Sequence, residues 1–510
     1  MDVVWDGITR APERVERRRG GAVERATYDL IAIGSGPAGE KGAAKAAYFG
    51  KSVALVEQAP RYGGAVANTG VPSKAMRETA LYLSGFHQRD LHGLTVTYDG
   101  TLTIDRFMHR GRMVRRALDE WIGTNLERHR IDVHRGRATF LDPYTVRVEG
   151  ETGTTDLEAG VILIATGSTP RRPPGIPFDA PGIYDSDTIQ QMERLPRSLA
   201  IVGGGAIGCE YACLFKVLGL EDVCIINSGD RLLPFADEEV STVLREVMAS
   251  LGVRFHMWDA IKRVEPGSPL ALQLDSGKRL TPEALLVAVG RRSSVAGLGL
   301  ENAGVQLTEH GQLVVNERFQ TNMRHIYAAG DVIGGTALAS TAMEEARMAI
   351  GYAFPLAGNY SLNDITAGLN SKSGPRPFLP LGIWTIPEIS MVGETEQGLR
   401  VRRQRYVVGR CRYDANPRGM LVGERSGLLK LLFTWPDVQL RGVHVIGENA
   451  CELIAVGLVG MTLGASCSTF IDTCFNYPSL SDLYKYAAFD ALTRIDRGDI
   501  YRPPASTEAD

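Results

Sequence analysis

Two stretches of this chain follow one rule: an apolar run, a glycine-rich turn, then a helix-forming segment. The first is Tyr28-Asp29-Leu30-Ile31-Ala32-Ile33, then Gly34-Ser35-Gly36-Pro37-Ala38-Gly39, then an Ala-rich stretch. In a GxGxxG turn after a strand, Gly34 permits the tight turn, Gly36 lets a pyrophosphate approach the backbone, and Gly39 lets helix and strand pack closely. Pro37 and Ala38 stand where the helix begins, and its unpaired N–H groups and positive dipole end favour phosphate. The next apolar run, 52–56, ends in Glu57. A carboxylate about 20 residues beyond the glycines accepts hydrogen bonds from ribose hydroxyls.

The second unit repeats the logic. Leu199-Ala200-Ile201-Val202 leads into Gly203-Gly204-Gly205-Ala206-Ile207-Gly208 and a helix through Leu218, and the strand over 222–226 ends at Asn227 rather than at an acid. A carboxylate there would repel a 2′-phosphate, so Asn227 admits NADP(H) without excluding NAD(H). Two readings of Arg231 stay open: pairing with that phosphate, or capping a surface loop. Two such units imply an α/β chain with two Rossmann-like domains and two dinucleotides. Ile162-Leu163-Ile164-Ala165-Thr166-Gly167 adds an apolar strand entering a small-residue turn. In Ile326-Tyr327-Ala328-Ala329-Gly330-Asp331 an acid again follows a strand, placed to hold a ribityl hydroxyl or orient a pyrophosphate.

With 510 residues, the chain is long for one core, and its length suggests about three domains. The net charge of −3 argues against general attraction to nucleic acid or anionic membrane. The most apolar helix-like stretch, 453–467, is 15 residues long, too short to span a bilayer. Residues 1–26 lack the apolar core of a secretory signal. Their Arg14, Arg17, Arg18 and Arg19, without apolar periodicity, predict a flexible arm. Seven cysteines form no CxxC and no zinc spacing, so no metal site is expected, and the odd count fits a reducing cytoplasm. None of the seven precedes Cys209.

Together these motifs resemble the pyridine nucleotide–disulfide oxidoreductases over roughly 27–490. The resemblance implies an FAD domain in two segments (27–155 and 290–355), an NAD(P) domain (156–289), a linker loop (356–375), a C-terminal α+β dimerisation domain (376–495) and a short tail (496–510). It also implies a homodimer in which the C-terminal domain caps the partner's flavin site. By the same resemblance Gly64, Gly136, Ala138, Thr166, Gly167, Asp331 and Ala339 border FAD, while Gly290 belongs with the NAD(P) turn.

Disulfide-bearing members carry two cysteines between a Gly-Gly pair and a Pro-Ser-Lys run. Here that segment reads Gly63-Gly64-Ala65-Val66-Ala67-Asn68-Thr69-Gly70-Val71-Pro72-Ser73-Lys74: both cysteines are gone and one residue is missing. Val66 cannot accept electrons as a thiol does, so disulfide substrates are disfavoured. The C-terminal end agrees. Where such reductases present a His-Pro pair and a Glu five residues on, this chain has Tyr477-Pro478 and Asp482. Lys74 matches the family lysine beside flavin N5, and Glu210 the glutamate that pairs with it. A cation there stabilises reduced flavin.

The runs Phe475-Asn476-Tyr477-Pro478, Tyr184-Asp185-Ser186-Asp187, Gly382-Ile383-Trp384-Thr385-Ile386-Pro387-Glu388 and Gly447-Glu448 are most similar to those of the soluble pyridine nucleotide transhydrogenases. The expected activity is FAD-dependent hydride transfer between NADPH and NAD+, of the Si-specific type, by a ping-pong route without a redox disulfide. One alternative is an NAD(P)H:quinone reductase or diaphorase with a quinone as partner, Tyr477 then bordering the acceptor cleft. Another is a flavin-binding regulatory or assembly protein. Cys467 and Cys474, which flank the C-terminal loop, are expected to be buried structural thiols. Replacing both with serine is expected to leave NADPH-dependent flavin reduction unchanged in stopped-flow absorbance, and a slowed reduction would give them a redox role.

Overall fold

A computed structural model describes residues 17–20, 23–84, 103–151, 153–335, 337–354 and 378–503. The linker expected over 356–375 lies outside these residues, as does most of the N-terminal arm. Two compact units emerge, one from the described residues of 1–75, 109–171 and 291–368, the other from those of 76–108, 172–290 and 369–510.

The first unit is built on a sheet whose parallel strands Asp132–Arg135, Val53–Glu57, Val23–Ile33, Gly153–Ile164 and Ile326–Ala328 lie side by side in that order. The order reverses direction next to the first glycine strand, which makes a crevice at the strands' carboxyl ends. Val53–Glu57 is buried at every position, and Leu30 and Ile31 are fully buried. Such strands read as continuous apolar runs because both faces are covered. The helices Pro37–Tyr48 and Ala339–Ala353 pack on each other on one side.

Three boundaries differ from the sequence expectation. Gly153–Ile164 is a strand of the first sheet, paired along most of its length with Val23–Ile33, so the chain leaves the first unit after this strand and not at 155. Arg17–Gly20 pairs antiparallel with Val23–Ala26, where a flexible arm was expected over 1–26. Backbone pairing on a ready sheet edge needs no apolar pattern, so the signal was absent from the side chains. Beyond 495 the tail is tied down: Tyr501 N–H donates to the Tyr406 carbonyl at 2.9 Å, and the two rings stack 4.7 Å apart.

The second unit holds two layers of different kind. Val253–Met257, Asp222–Asn227, Ser198–Val202, Ala284–Val287 and Ile183–Asp185 form an all-parallel sheet. Leu381–Ile383, Ile389–Gly393, Leu440–Ile446, Leu428–Thr434 and Tyr406–Arg412 form an antiparallel one. Against the antiparallel sheet lie the helices Ala450–Thr462 and Leu483–Asp496, whose Leu453, Ile454, Tyr484 and Ala487 share a core with Val443 and Leu431. The apolar stretch 453–467 is therefore no single helix: it turns at Gly464, which has a positive φ of 71°. Among the described residues no helix is long and apolar enough to cross a membrane.

One buried charge joins these two layers. Lys430, 1% exposed, sends Nζ to Asp237 at 2.8 Å, Glu239 at 2.9 Å and Glu396 at 2.6 Å. Asp237 also caps the helix Glu238–Ser250 by accepting from Glu239 N–H. Burial pushes the Glu239 and Glu396 carboxyls up, but the hydrogen bonds from Arg410 and Lys430 respectively, with the Lys430 charge, hold both below their ordinary range. A carboxyl depressed in the folded state adds stability above its unfolded pKa, near ~4, and that stability is lost as pH falls through the folded value. Lys430→Met leaves buried carboxylates uncompensated and is expected to cost roughly 3–5 kcal/mol at neutral pH. The deficit should shrink on acidification toward about pH 3 as the carboxyls take up protons. Calorimetric melting of both proteins from neutral to acid pH checks this; parallel curves would show that the cluster is not the source.

Candidate functional site

The two glycine turns have the same geometry, set by the same contacts. Gly34 has φ +101°, and a Cβ on it would meet the Ala165 carbonyl oxygen at 2.5 Å; a Cβ on Gly39 would overlap the Gly34 carbonyl. In the second unit Gly203 has φ +108° and faces the Ala288 carbonyl, while Gly208 abuts the Gly203 carbonyl. No residue with a side chain fits these positions. Pro37 at the first turn of its helix loses no hydrogen bond, because that N–H has no intrahelical partner.

The residue ending the second strand ties each turn down. Glu57 Oε2 accepts from Ser35 N–H at 2.9 Å and from Ser35 Oγ at 2.6 Å, and Oε1 accepts from Ala59 N–H at 2.7 Å. At the matching position Asn227 Oδ1 accepts from Gly204 N–H at 3.0 Å, and its Nδ2 donates to the Gly229 and Arg231 carbonyls. Arg231 donates to the Pro234 carbonyl at 2.6 Å and pairs with Glu238 at 3.1 Å. Gly290, with φ +103°, follows the strand Ala284–Val287.

Around the first turn the space opens. A Cβ on Gly36 or on Gly167 would meet nothing within 4 Å. Gly63 N–H donates to Ser35 Oγ at 3.1 Å, and a Cβ on Gly64 would sit 3.3 Å from Gly36 Cα. Gly136 N–H donates to the Glu57 carbonyl at 3.0 Å, whereas Ala138 buries its methyl in the core under the sheet. The Thr166 hydroxyl is buried with no hydrogen-bond partner among the described residues. Asp331 Oδ2 accepts from Ser168 Oγ at 2.5 Å, and Ser168 Oγ in turn accepts from Arg291 Nε at 2.8 Å. Sequence reasoning missed Ser168 and Arg291; their only signal was adjacency to Gly167 and Gly290. Ala339 opens the helix Ala339–Ala353.

The segment that lacks cysteines is wound as a π-helix, Val66–Gly70, continuing into the helix Val71–Ser84. Val71 N–H donates to the Val66 carbonyl, five residues back. Pro72 lacks an N–H and its ring clashes with the carbonyl four residues earlier, and the wider turn relieves that clash. Asn68 Nδ2 stitches it by donating to the Tyr62 and Gly64 carbonyls. Lys74 follows, its Nζ 3.4 Å from Ser73 Oγ. Glu210, on the helix Ala206–Leu218, accepts from Trp384 N–H at 2.8 Å.

At the C-terminal end Tyr477 is 72% exposed, while Asp482 is buried at the start of Leu483–Asp496. No hydrogen bond joins them among the described residues. Burial pushes the Cys209 thiol far up and the Cys213 and Cys451 thiols up to about 12, which leaves them protonated and unreactive at neutral pH. Cys467 is buried as expected, but Cys474 is exposed, because it falls just after the short helix Cys467–Asp472 in the open C-terminal loop. Among the described residues no group of three or more His, Cys, Asp or Glu is arranged to hold a metal ion.

Residues 28–346 match the pyridine nucleotide-disulphide oxidoreductase family and residues 379–488 its dimerisation domain. The chain belongs to that family. It is 38% identical over 472 residues to the soluble pyridine nucleotide transhydrogenase of Mycobacterium bovis, covering 92% of this chain and 98% of the relative. It is 36% identical over 483 residues to the transhydrogenase of the same name from a Marinomonas species, covering 92% and 99%. Among solved structures it resembles the HOCl-induced flavoprotein disulfide reductase RclA from Escherichia coli, with TM-score 0.78, 27% identity and coverage of 90% and 99%. LpdA from Mycobacterium tuberculosis is similar as well, with TM-score 0.80, 25% identity and the same coverage.

The protein is thus a flavoprotein oxidoreductase whose cofactors are FAD and NAD(P)H. The first turn fits a flavin dinucleotide, for Gly36 leaves the backbone open to a pyrophosphate and the Thr166 hydroxyl lacks a partner among the described residues. An unmet buried hydroxyl costs about 1–3 kcal/mol. Thr166→Val is therefore expected to leave the apoprotein as stable or stabler. FAD affinity should fall about tenfold, the worth of one hydrogen bond near 1.4 kcal/mol. Urea unfolding of the apoprotein and fluorescence titration with FAD check the two halves; unaltered FAD affinity would remove Thr166 from the site.

Proposed function

We propose that this protein is an NAD(P)+ transhydrogenase of the Si-specific type, exchanging hydride between NADPH and NAD+ in a ping-pong manner without a redox disulfide. The observation that carries the reading is the pairing of two equivalent glycine turns with a flavin-side segment that has no thiol. FAD, when bound, supplies the hydride-accepting chemistry. Glu57, Thr166, Asp331 and the backbone at Gly36 would hold it, with Gly64, Gly136 and Ala339 at its borders. Lys74 would set a positive charge beside the reacting ring, with Glu210 as its counter-charge.

Gly205, Ala206 and Ile207 would present helix N–H groups to the NAD(P) pyrophosphate. Asn227 carries no charge against a 2′-phosphate, and it is already engaged in holding Gly204. Arg231 pairs with Glu238, and the neutral Asn227 would admit NADPH and NADH alike. The dimerisation domain supports a homodimer, which we place in the cytoplasm with the 376–495 region capping the partner's flavin site. The exposed Val459, Leu463, Tyr486 and Phe489 are the kind of surface that a second copy covers.

One observation favours a second reading, an NAD(P)H:quinone reductase: Tyr477 is exposed and unattached to Asp482, free to border an aromatic acceptor. Stopped-flow mixing separates the readings. NADPH is expected to bleach the flavin, and NAD+ to restore its absorbance at a rate that sustains turnover. Fast reoxidation by a benzoquinone alone would overturn the transhydrogenase reading, and no bleaching by NADPH would sink both.

A further inference from the structure

Arg77 stands one helical turn beyond Lys74 on the helix Val71–Ser84, and only 7% of it is exposed. A guanidinium so placed must spend its donors, and it spends them on one loop and on the neighbouring Glu78. Nε donates to the Thr385 carbonyl at 3.1 Å, Nη1 lies 3.5 Å from Glu388 Oε1, and the group stands 5.8 Å from the centre of the Trp384 ring. Nη1 also reaches Glu78 at 2.5 Å. The loop is closed from its other side: Thr385 Oγ1 donates to the Pro387 carbonyl at 2.7 Å, and Glu388 Oε2 accepts from Cys451 N–H at 3.3 Å. The remaining contact leads outward. Trp384 N–H, on the residue before the one whose carbonyl Arg77 grips, donates to Glu210 Oε1 at 2.8 Å.

We propose that Arg77 is a positioning residue for hydride transfer, which acts by clamping residues 384–388 so that the Trp384 amide holds the Glu210 carboxylate in one orientation. The inference rests on the reading of Glu210 given above and adds to it the means by which Glu210 is aimed. A planar guanidinium with several donors in a rigid fork fixes a carbonyl and a carboxylate together, which an ammonium cannot do. A carboxylate free to rotate presents its charge in many directions. One held by a backbone amide presents it in one, and such preorganisation is what makes a charge effective beside a reacting centre. The run 382–388, conspicuous in the sequence without a role, thereby gains one.

The test is a double-mutant cycle on the FAD-loaded protein, read as the stopped-flow rate of flavin reduction by NADPH. FAD content and melting temperature are followed alongside. Arg77→Gln and Glu210→Gln are each expected to slow reduction on the order of 10- to 100-fold, the scale of an ångström's misplacement. Because Arg77 acts through Glu210, the double variant should be no slower than Glu210→Gln alone. Arg77→Lys keeps the buried charge but not the fork, and should retain full FAD and melting temperature while still slowing reduction. Should Arg77→Gln not fold, Arg77→Lys takes its place in the cycle. If Glu210→Gln reduces at the wild-type rate, the reading of Glu210 fails. If Glu210→Gln is slow but Arg77→Lys is not, or the two losses multiply, the clamp is overturned and Arg77 is structural only.

Discussion

Everything that marks this protein as a handler of dinucleotides depends on one steric demand: a helix must start within van der Waals contact of the strand that feeds it. In both units the last glycine of the turn lies on the carbonyl of the first. That contact leaves no room for a methyl group, and it turns the helix N-terminus toward the crevice where the strand order reverses. Once the helix is pinned there, its unpaired N–H groups form an anion site at no further cost. The tether from the second strand, Glu57 in one unit and Asn227 in the other, fixes the turn's next amide and so completes the cradle.

The same tether accounts for how the two sites differ. Glu57 and Asn227 do equivalent structural work, each accepting from the residue after the first glycine. They differ in charge, and in that Asn227 Nδ2 donates to carbonyls where Glu57 Oε1 accepts from an amide. A carboxylate suits ribose hydroxyls, whereas a neutral amide tolerates a phosphate on that ribose. Arg231, four residues beyond Asn227, meets the Pro234 carbonyl and Glu238.

Away from the turns, polar groups are spent on holding loops and layers. Asp185, in the Tyr184–Asp187 run, accepts from the Asp187 and Thr188 amides and from Arg172. Gly447 leaves space for the Tyr413 ring, which a Cβ would strike. These residues resembled functional motifs, yet their contacts are those of packing and turn closure. Lys430, on a strand that otherwise reads as apolar, carries a buried charge because three carboxylates from two other segments converge on it.

The sequence by itself determined the strand–glycine–helix units, the acid at Glu57 and its absence at Asn227, and the lack of any thiol before Cys209. Each is a local fact, since turn geometry and redox chemistry depend on residues a few positions apart. Tertiary structure alone decided what depends on distant partners. It assigned Gly153–Ile164 to the first sheet, left Tyr477 exposed while burying Asp482, and brought Arg77, Trp384 and Glu210 into one chain of contacts. Those three residues are separated by more than a hundred positions in sequence, and no local periodicity records which carbonyl a buried guanidinium will reach. Spacing identifies the chemistry a short segment can perform, but burial and convergence determine which of its side chains are free to perform it.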